Sequence, residues 1–353
     1  MKHRRSSALP FSALKMNLWI LLTITSLAEC RYLKRAAQSC PDLCSCSFPP
    51  SGADVVCSRS SLQQFPVDGL DPNTTRLSIQ SSNLSSITAS HLSAVPLLNN
   101  LQLYHSNLTS LPSDLLKDVP HLNMLDLTGN RLVQLPPNVF SHASLHSLVL
   151  KNNLIEKADA EWFSGNSSLT WLDLSGNRLT GVPASLLHKL PNLETLDLSD
   201  NNLQDLQPDA LSNLHRLESL NLAGNKLSSL TTTIFSHNLK LSQLFLQENQ
   251  LRELPATLLQ GLHNLELLLL NQNQLQHFPS GLLDGRKSSF QMALTGNPWV
   301  CDEGMEYLWK WLTVHPQNVF FLEEVTCAGP GALKHRQVVS LTDTELGLQK
   351  IQN

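Results

Sequence analysis

Seven cysteines, thirteen histidines and four N-x-S/T tripeptides are the residues of this 353-residue chain that could carry covalent or metal chemistry. Cys40, Cys44 and Cys46 crowd into "CPDLCSC", Cys57 follows, and Cys301 and Cys327 stand far downstream in "NPWVCD" and "VTCAGPG". Four thiolates so close could hold zinc. Paired C-x-x-C knuckles are absent and a secretory signal precedes them, so disulfides are the expected chemistry. Spacing alone leaves the pairing open, since four cysteines allow three connectivities. The histidines are scattered. His142 and His146 have i,i+4 spacing, but the register set out below puts one in a return segment and the other in a strand, so no shared helical face is expected. No G-x-S-x-G, H-E-x-x-H, G-x-G-x-x-G or P-loop occurs. The chain reads as a non-enzyme with no cofactor and no metal. The tripeptides put N-linked glycans at Asn73, Asn83, Asn107 and Asn166, none of them followed by proline.

A phrase repeated along the chain must position these residues. "LDLTGN", "LDLSGN" and "LNLAGN" are copies of L-x-x-L-x-L-x-x-N-x-L. Nine copies place their fourth positions at Leu77, Leu101, Leu125, Leu148, Leu172, Leu196, Leu220, Leu244 and Leu268, in steps of 24 residues with one of 23. Met292, 24 residues on, opens a tenth register in "MALTGNPWVCDEG". This is a leucine-rich repeat array. Leucines at positions four and six alternate with polar residues, as in a short strand with one buried face. A single turn cannot bury its leucines, so the turns stack and share one core. The fold class is an α/β repeat: a solenoid curved as a horseshoe, with parallel strands on its concave face and disulfide caps at both ends. Asn130, Asn153, Asn177, Asn201, Asn225, Asn249 and Asn273 recur at position nine, where side-chain amides should satisfy the backbone of the turns. Ser82 and Ser106 replace them in the first two repeats.

The strand residues that point outward supply the candidate contact surface. Tyr104, Met124, Asp126, Trp171, Asp173, Asp197, Phe245, Leu267 and Leu269 are expected to touch a protein partner. Three carboxylates beside Trp171 favour a basic ligand, and Phe245, Leu267 and Leu269 make an apolar patch. Asn83 and Asn107 share position ten, so their glycans should project from adjacent turns on one rail.

The ends divide the chain into a signal peptide (1–30), an N-terminal cysteine-rich cap (31–72), nine repeats (73–291), a C-terminal cap (292–335) and a polar tail (336–353). Basic residues precede the apolar run "LWILLTITSLA", too short to span a bilayer. Met16 is an alternative start, and Cys30 is either discarded with the signal or left unpaired. No later run reaches spanning length, so secretion to the extracellular space as a monomer is expected. Removing residues 1–30 takes away four Lys/Arg and one acid, moving the formal charge from −4 to −7 and excluding a basic, nucleic-acid-binding character. Pro298 should end the tenth strand, with Trp299 covering the last leucine layer. Met305, Leu308, Trp309 and Leu312 have the spacing of a cap helix.

With these caps the sequence resembles the extracellular leucine-rich repeat proteins that carry cysteine-rich caps, and within them the plasma glycoproteins of vertebrates. The likeness spans about residues 40 to 340 and is most specific in "LTGNPWVCDEGMEYLWKWL" and "VTCAGPGALK". Many relatives have a further cysteine where Glu303 stands here. The resemblance implies the pairs Cys40–Cys46, Cys44–Cys57 and Cys301–Cys327. It also implies a secreted binding protein, associated with cytochrome c and with transforming growth factor beta signalling. Leucine-rich phospholipase A2 inhibitors and matrix or adhesion proteins are the alternative readings.

Overall fold

The computed structural model describes residues 39–348 except Arg59; the signal segment 1–30 and Cys30 lie outside the described residues. Thirteen strands form one sheet in chain order apart from its last member. A two-stranded hairpin opens it: β1 (Cys44–Ser47) runs antiparallel to β2 (Ala53–Cys57). Every later pairing is parallel, through β3 (Thr74–Gln80), β4 (Asn100–Tyr104), β5 (Met124–Asp126), β6 (Ser147–Val149) and β7 (Trp171–Asp173). It continues through β8 (Thr195–Asp197), β9 (Ser219–Asn221), β10 (Gln243–Phe245), β11 (Leu267–Leu269) and β12 (Gln291–Ala293). The sequence period is the pairing register: Leu172 faces Leu196, and Leu196 faces Leu220.

The leucines at positions four and six, such as Leu101 and Leu103 or Leu125 and Leu127, are wholly buried. Each such side chain contributes about 1.5–3 kcal/mol through removal from water, shared between neighbouring turns. From β5 to β12 the strands span three residues, and at position eight the chain turns left-handed. Asn152, Asp200, Glu248 and Gln272 have φ of 53, 53, 58 and 56°, and Gly129, Gly176, Gly224 and Gly296 take the same sign. Behind the sheet the chain returns through tight turns and two four-residue helices, Ala89–Leu92 and Ala184–Leu187. Buried Phe140, Trp162, Phe163 and Phe235 fill that layer.

Disulfides close both ends. Cys44 and Cys57 are directly opposed across β1 and β2 and are bonded, with Cys40 bonded to Cys46 beside them. Cys301 bonds Cys327 at the other end. These flank β13 (Trp299–Val300) and β15 (Cys327–Gly329), which pair as a separate small sheet. Trp299 is fully buried and its indole N–H donates to the Leu294 carbonyl at 3.2 Å.

Three details of this end differ from the sequence reading. The tenth strand does not end the sheet, because β14 (Val319–Phe320) adds beyond it, Val319 opposite Met292 and Phe320 opposite Ala293. In the cap helix Glu306–Val314, Trp311 joins Leu308 and Leu312 in the buried face, whereas Trp309 is only half-buried. Trp311 meets the Phe290 ring edge-on, 6.4 Å between centroids, and stacks on His315. The segment expected as a polar tail packs on the cap: Val338, Leu341 and Leu346 are buried, and Arg336 pairs with Glu345 at 2.6 Å. Among the described residues its few apolar side chains are the ones turned inward, so composition alone hid the packing.

Candidate functional site: the outward face of the sheet

The sheet face is held rigid from beneath by the position-nine asparagines. Asn177 accepts the Ile155 N–H at 3.0 Å and donates to the Leu150 and Leu174 carbonyls at 2.9 and 3.0 Å. Asn201, Asn225, Asn249 and Asn273 repeat this pattern, and Asn297 extends it under the tenth register. Each amide thus ties its own turn to the preceding one through three backbone groups, leaving little freedom for the side chains above. Where serine replaces asparagine, Ser82 donates to Ser106 at 3.1 Å and Asn130 reaches back to the Ser106 and Leu108 N–H groups.

On the outward side Trp171 is 46% exposed. Its register neighbours on the two adjacent strands, Ser147 and Thr195, are both small. Met124 lies half-buried, in register with Asn100 and Ser147. Phe245, Leu267 and Leu269 are half-buried and adjacent in the sheet.

The carboxylates correct the expected picture of an open acidic cluster. Asp126 and Asp173 are only 7% and 9% exposed. One oxygen of each is spent on the residue two further on: Asp126 on the Thr128 N–H and hydroxyl, Asp173 on the same groups of Ser175, Asp197 on those of Ser199. The other Asp197 oxygen accepts from Asn221 at 3.0 Å. These are turn-building residues, a role readable in the D-L-S/T spacing. Burial raises the Asp173 carboxyl above the usual carboxylate range; the Ser175 hydrogen bonds pull it down, and Asp197 adds to the rise. Tyr104 is half-buried, and burial, reinforced by the neighbouring Asp126 charge, pushes its hydroxyl to about 12.

Of the four glycan acceptors, Asn73, Asn83 and Asn166 are exposed and Asn107 is half-buried. Asn107 Nδ2 donates to Asn83 Oδ1 at 3.1 Å, so the two position-ten residues are in contact on adjacent turns. His146 precedes β6 and binds Asn123 at 3.0 Å; among the described residues no group of three metal-ligating side chains converges.

Strands in 24-residue register, leucines beneath and an asparagine ladder define the class, and the chain belongs to the leucine rich repeat family. That family's pattern matches residues 72–132, 120–179, 143–203, 169–227 and 216–275, together more than half the chain. Among curated proteins it is similar to human carboxypeptidase N subunit 2, 39% identical over 57 residues, or 16% of this chain and 10% of that protein. It is also similar to phospholipase A2 inhibitor beta of Elaphe climacophora, 33% identical over 59 residues, 17% of this chain and 18% of the inhibitor. The chain therefore matches less than a fifth of either relative's length. Among solved structures, human 5T4 (Wnt-activated inhibitory factor 1, trophoblast glycoprotein) superposes with a TM-score of 0.54 at 24% identity, covering 88% of this chain and 99% of that one. This last likeness is one of fold.

Proposed function

We propose that the protein is a secreted, glycosylated and non-enzymatic binder of protein ligands, acting through the outward face of its sheet. The observation that carries this is Trp171, 46% exposed on a rigid strand between Ser147 and Thr195. Exposed tryptophans on preorganised backbone are favoured anchors in protein interfaces. Three disulfides suit an oxidising compartment, and no helix among the described residues is long and apolar enough to cross a membrane. The cap motifs resemble those of the plasma protein leucine-rich alpha-2-glycoprotein. That resemblance supports a modulator of transforming growth factor beta signalling that also binds cytochrome c. Affinity capture from plasma tests the reading, comparing wild type with Trp171→Ala and Phe245→Ala. Loss of one or more partners in either variant is expected; full retention in both refutes the assignment of the face.

A second reading, inhibition of a phospholipase A2, is favoured by the short likeness to the Elaphe inhibitor. A direct inhibition assay decides it. A matrix or adhesion role, the third reading, would show as cell-surface or matrix retention of the expressed protein.

A further inference from the structure

Position five of the repeat becomes apolar across the last four parallel strands of the sheet. Phe245 lies opposite Leu269, Leu269 opposite Ala293, and Ala293 opposite Phe320. Phe320 stands on the sheet's outermost strand and is 41% exposed. Leu267 broadens the row at position three, between Gln243 and Gln291.

The charges around this row are of one sign. From position two to position eight of β8 to β12, the segments are 194–200, 218–224, 242–248, 266–272 and 290–296. They hold Glu194, Asp197, Asp200, Glu218, Glu248 and Glu266 and no Lys, Arg or His. The five preceding segments are mixed, with Arg76, Lys151, His105 and His146 against Asp126 and Asp173. Glu194, Glu218 and Glu266 are exposed just before their strands, and Asp200 and Glu248 are exposed just after theirs. The ion pairs among the described residues include none of these five. On the strands of the row itself one acid stands on each side, Glu266 at position two of β11 and Glu248 at position eight of β10. Glu194, Glu218 and Asp200 continue these two acidic rails across β8 and β9, each three residues from position five, or about 10 Å at strand rise.

We propose that this half of the sheet face is a docking groove for a basic amphipathic helix of a partner protein, laid across the strands. Its apolar stripe would sit on half-buried Phe245 and Leu269 and exposed Phe320, crossing the buried Ala293 between them, and its Lys and Arg flanks would reach the carboxylates on both sides. The dimensions match: strands are about 4.8 Å apart and a helical turn is about 5.4 Å, so successive turns meet successive strands. A helix about 10–12 Å across fits between rails about 20 Å apart, with basic stems bridging the remainder. Against an anionic or neutral helix the same rails repel or stay unpaired, so they select the partner's charge as well as steer it.

The inference rests on the sheet-face reading above and is separable from it. The probe is a labelled synthetic Leu/Lys peptide with leucines at i, i+3, i+4 and i+7, titrated by fluorescence anisotropy. A peptide of the same composition with its stripe scrambled and a Leu/Glu counterpart serve as controls. The striped Leu/Lys peptide is expected to bind about tenfold or more tightly than either control, with affinity falling as salt rises. Glu218→Gln/Glu248→Gln/Glu266→Gln should weaken it about tenfold and flatten the salt dependence. Phe245→Asn, the residue already present at this register as Asn221, should weaken it while salt dependence remains. Glu156→Gln, outside the groove, should change nothing. Equal binding of striped and scrambled peptides, or full affinity in the triple variant, overturns the proposal. Should the peptide fail while plasma partners still depend on Trp171, the sheet-face reading stands and only the helical groove falls.

Discussion

Asn201 Oδ1 accepts the backbone N–H of Leu179, in the preceding repeat, at 3.0 Å, and its amide donates to Leu174 one repeat back and Leu198 in its own. All of these groups are buried, so no water replaces the side chain when it is removed. Asn201→Ala is expected to cost about 2–4 kcal/mol, several unsatisfied buried groups at once. Chemical denaturation followed by circular dichroism should show Asn225→Ala losing a similar amount, because its hydrogen bonds are the same. A loss below that of an exposed Asn→Ala control would remove the ladder's claimed role.

Gly176 sits at φ +64°, and a methyl group built there would overlap Asn152 Oδ1 from the turn above. Gly176→Ala should therefore cost about 1 kcal/mol or more. Part of that cost is steric and part conformational. Asn152→Gly in the same chain should restore the steric part, and thermal melts of the two single variants and the double variant read the difference.

Cys301 and Cys327 close a loop of 26 residues over the last leucine layer. Replacing both with alanine should lower stability by about 2–4 kcal/mol. Limited proteolysis is expected to cut first between residues 301 and 327, leaving the repeats protected. Simultaneous loss of the whole array would mean that the cap and the repeats unfold as one unit.

Burial and Asp126 hold the Tyr104 hydroxyl at about 12. A raised folded-state value means stability is fully present below the ordinary tyrosine value of about 10 and is lost as pH rises toward 12. Thermal melts across that window should show a steeper decline for wild type than for Tyr104→Phe. Tyr307, also pushed to about 12 by burial, supplies the remaining decline in the variant. Identical slopes for the two proteins would contradict this assignment.

The strands were legible because each turn repeats one phrase: Leu101, Leu125 and Leu148 fall in register at the centre of paired strands. Val319–Phe320 escaped because it pairs by position without carrying the phrase. Trp311 and Trp309 lie two residues apart, and which one faces inward depends on the helix's approach to Phe290, which its own sequence does not encode. Asp126 and Asp173 looked like ligand-facing acids until Thr128 and Ser175 were seen to consume an oxygen of each. The serine or threonine two residues on was the available signal. The acids that do stand open, Glu194, Glu218, Glu248 and Glu266, occupy positions two and eight, outside the strand alternation used to choose outward residues.

The sheet face itself is tested most directly by obstructing it. Asn221 lies on β9 at position five, and Ala223→Ser would complete an N-x-S tripeptide there. Serine already occupies the equivalent register at Ser175 and Ser199, so the fold should accept it. In protein expressed through the secretory pathway, the mass of one added glycan confirms occupancy and an unchanged circular dichroism spectrum confirms folding. The account predicts that this glycoform loses the plasma partners that wild type captures, while enzymatic removal of the glycan restores them. Undiminished capture by the fully occupied variant would contradict binding through this face.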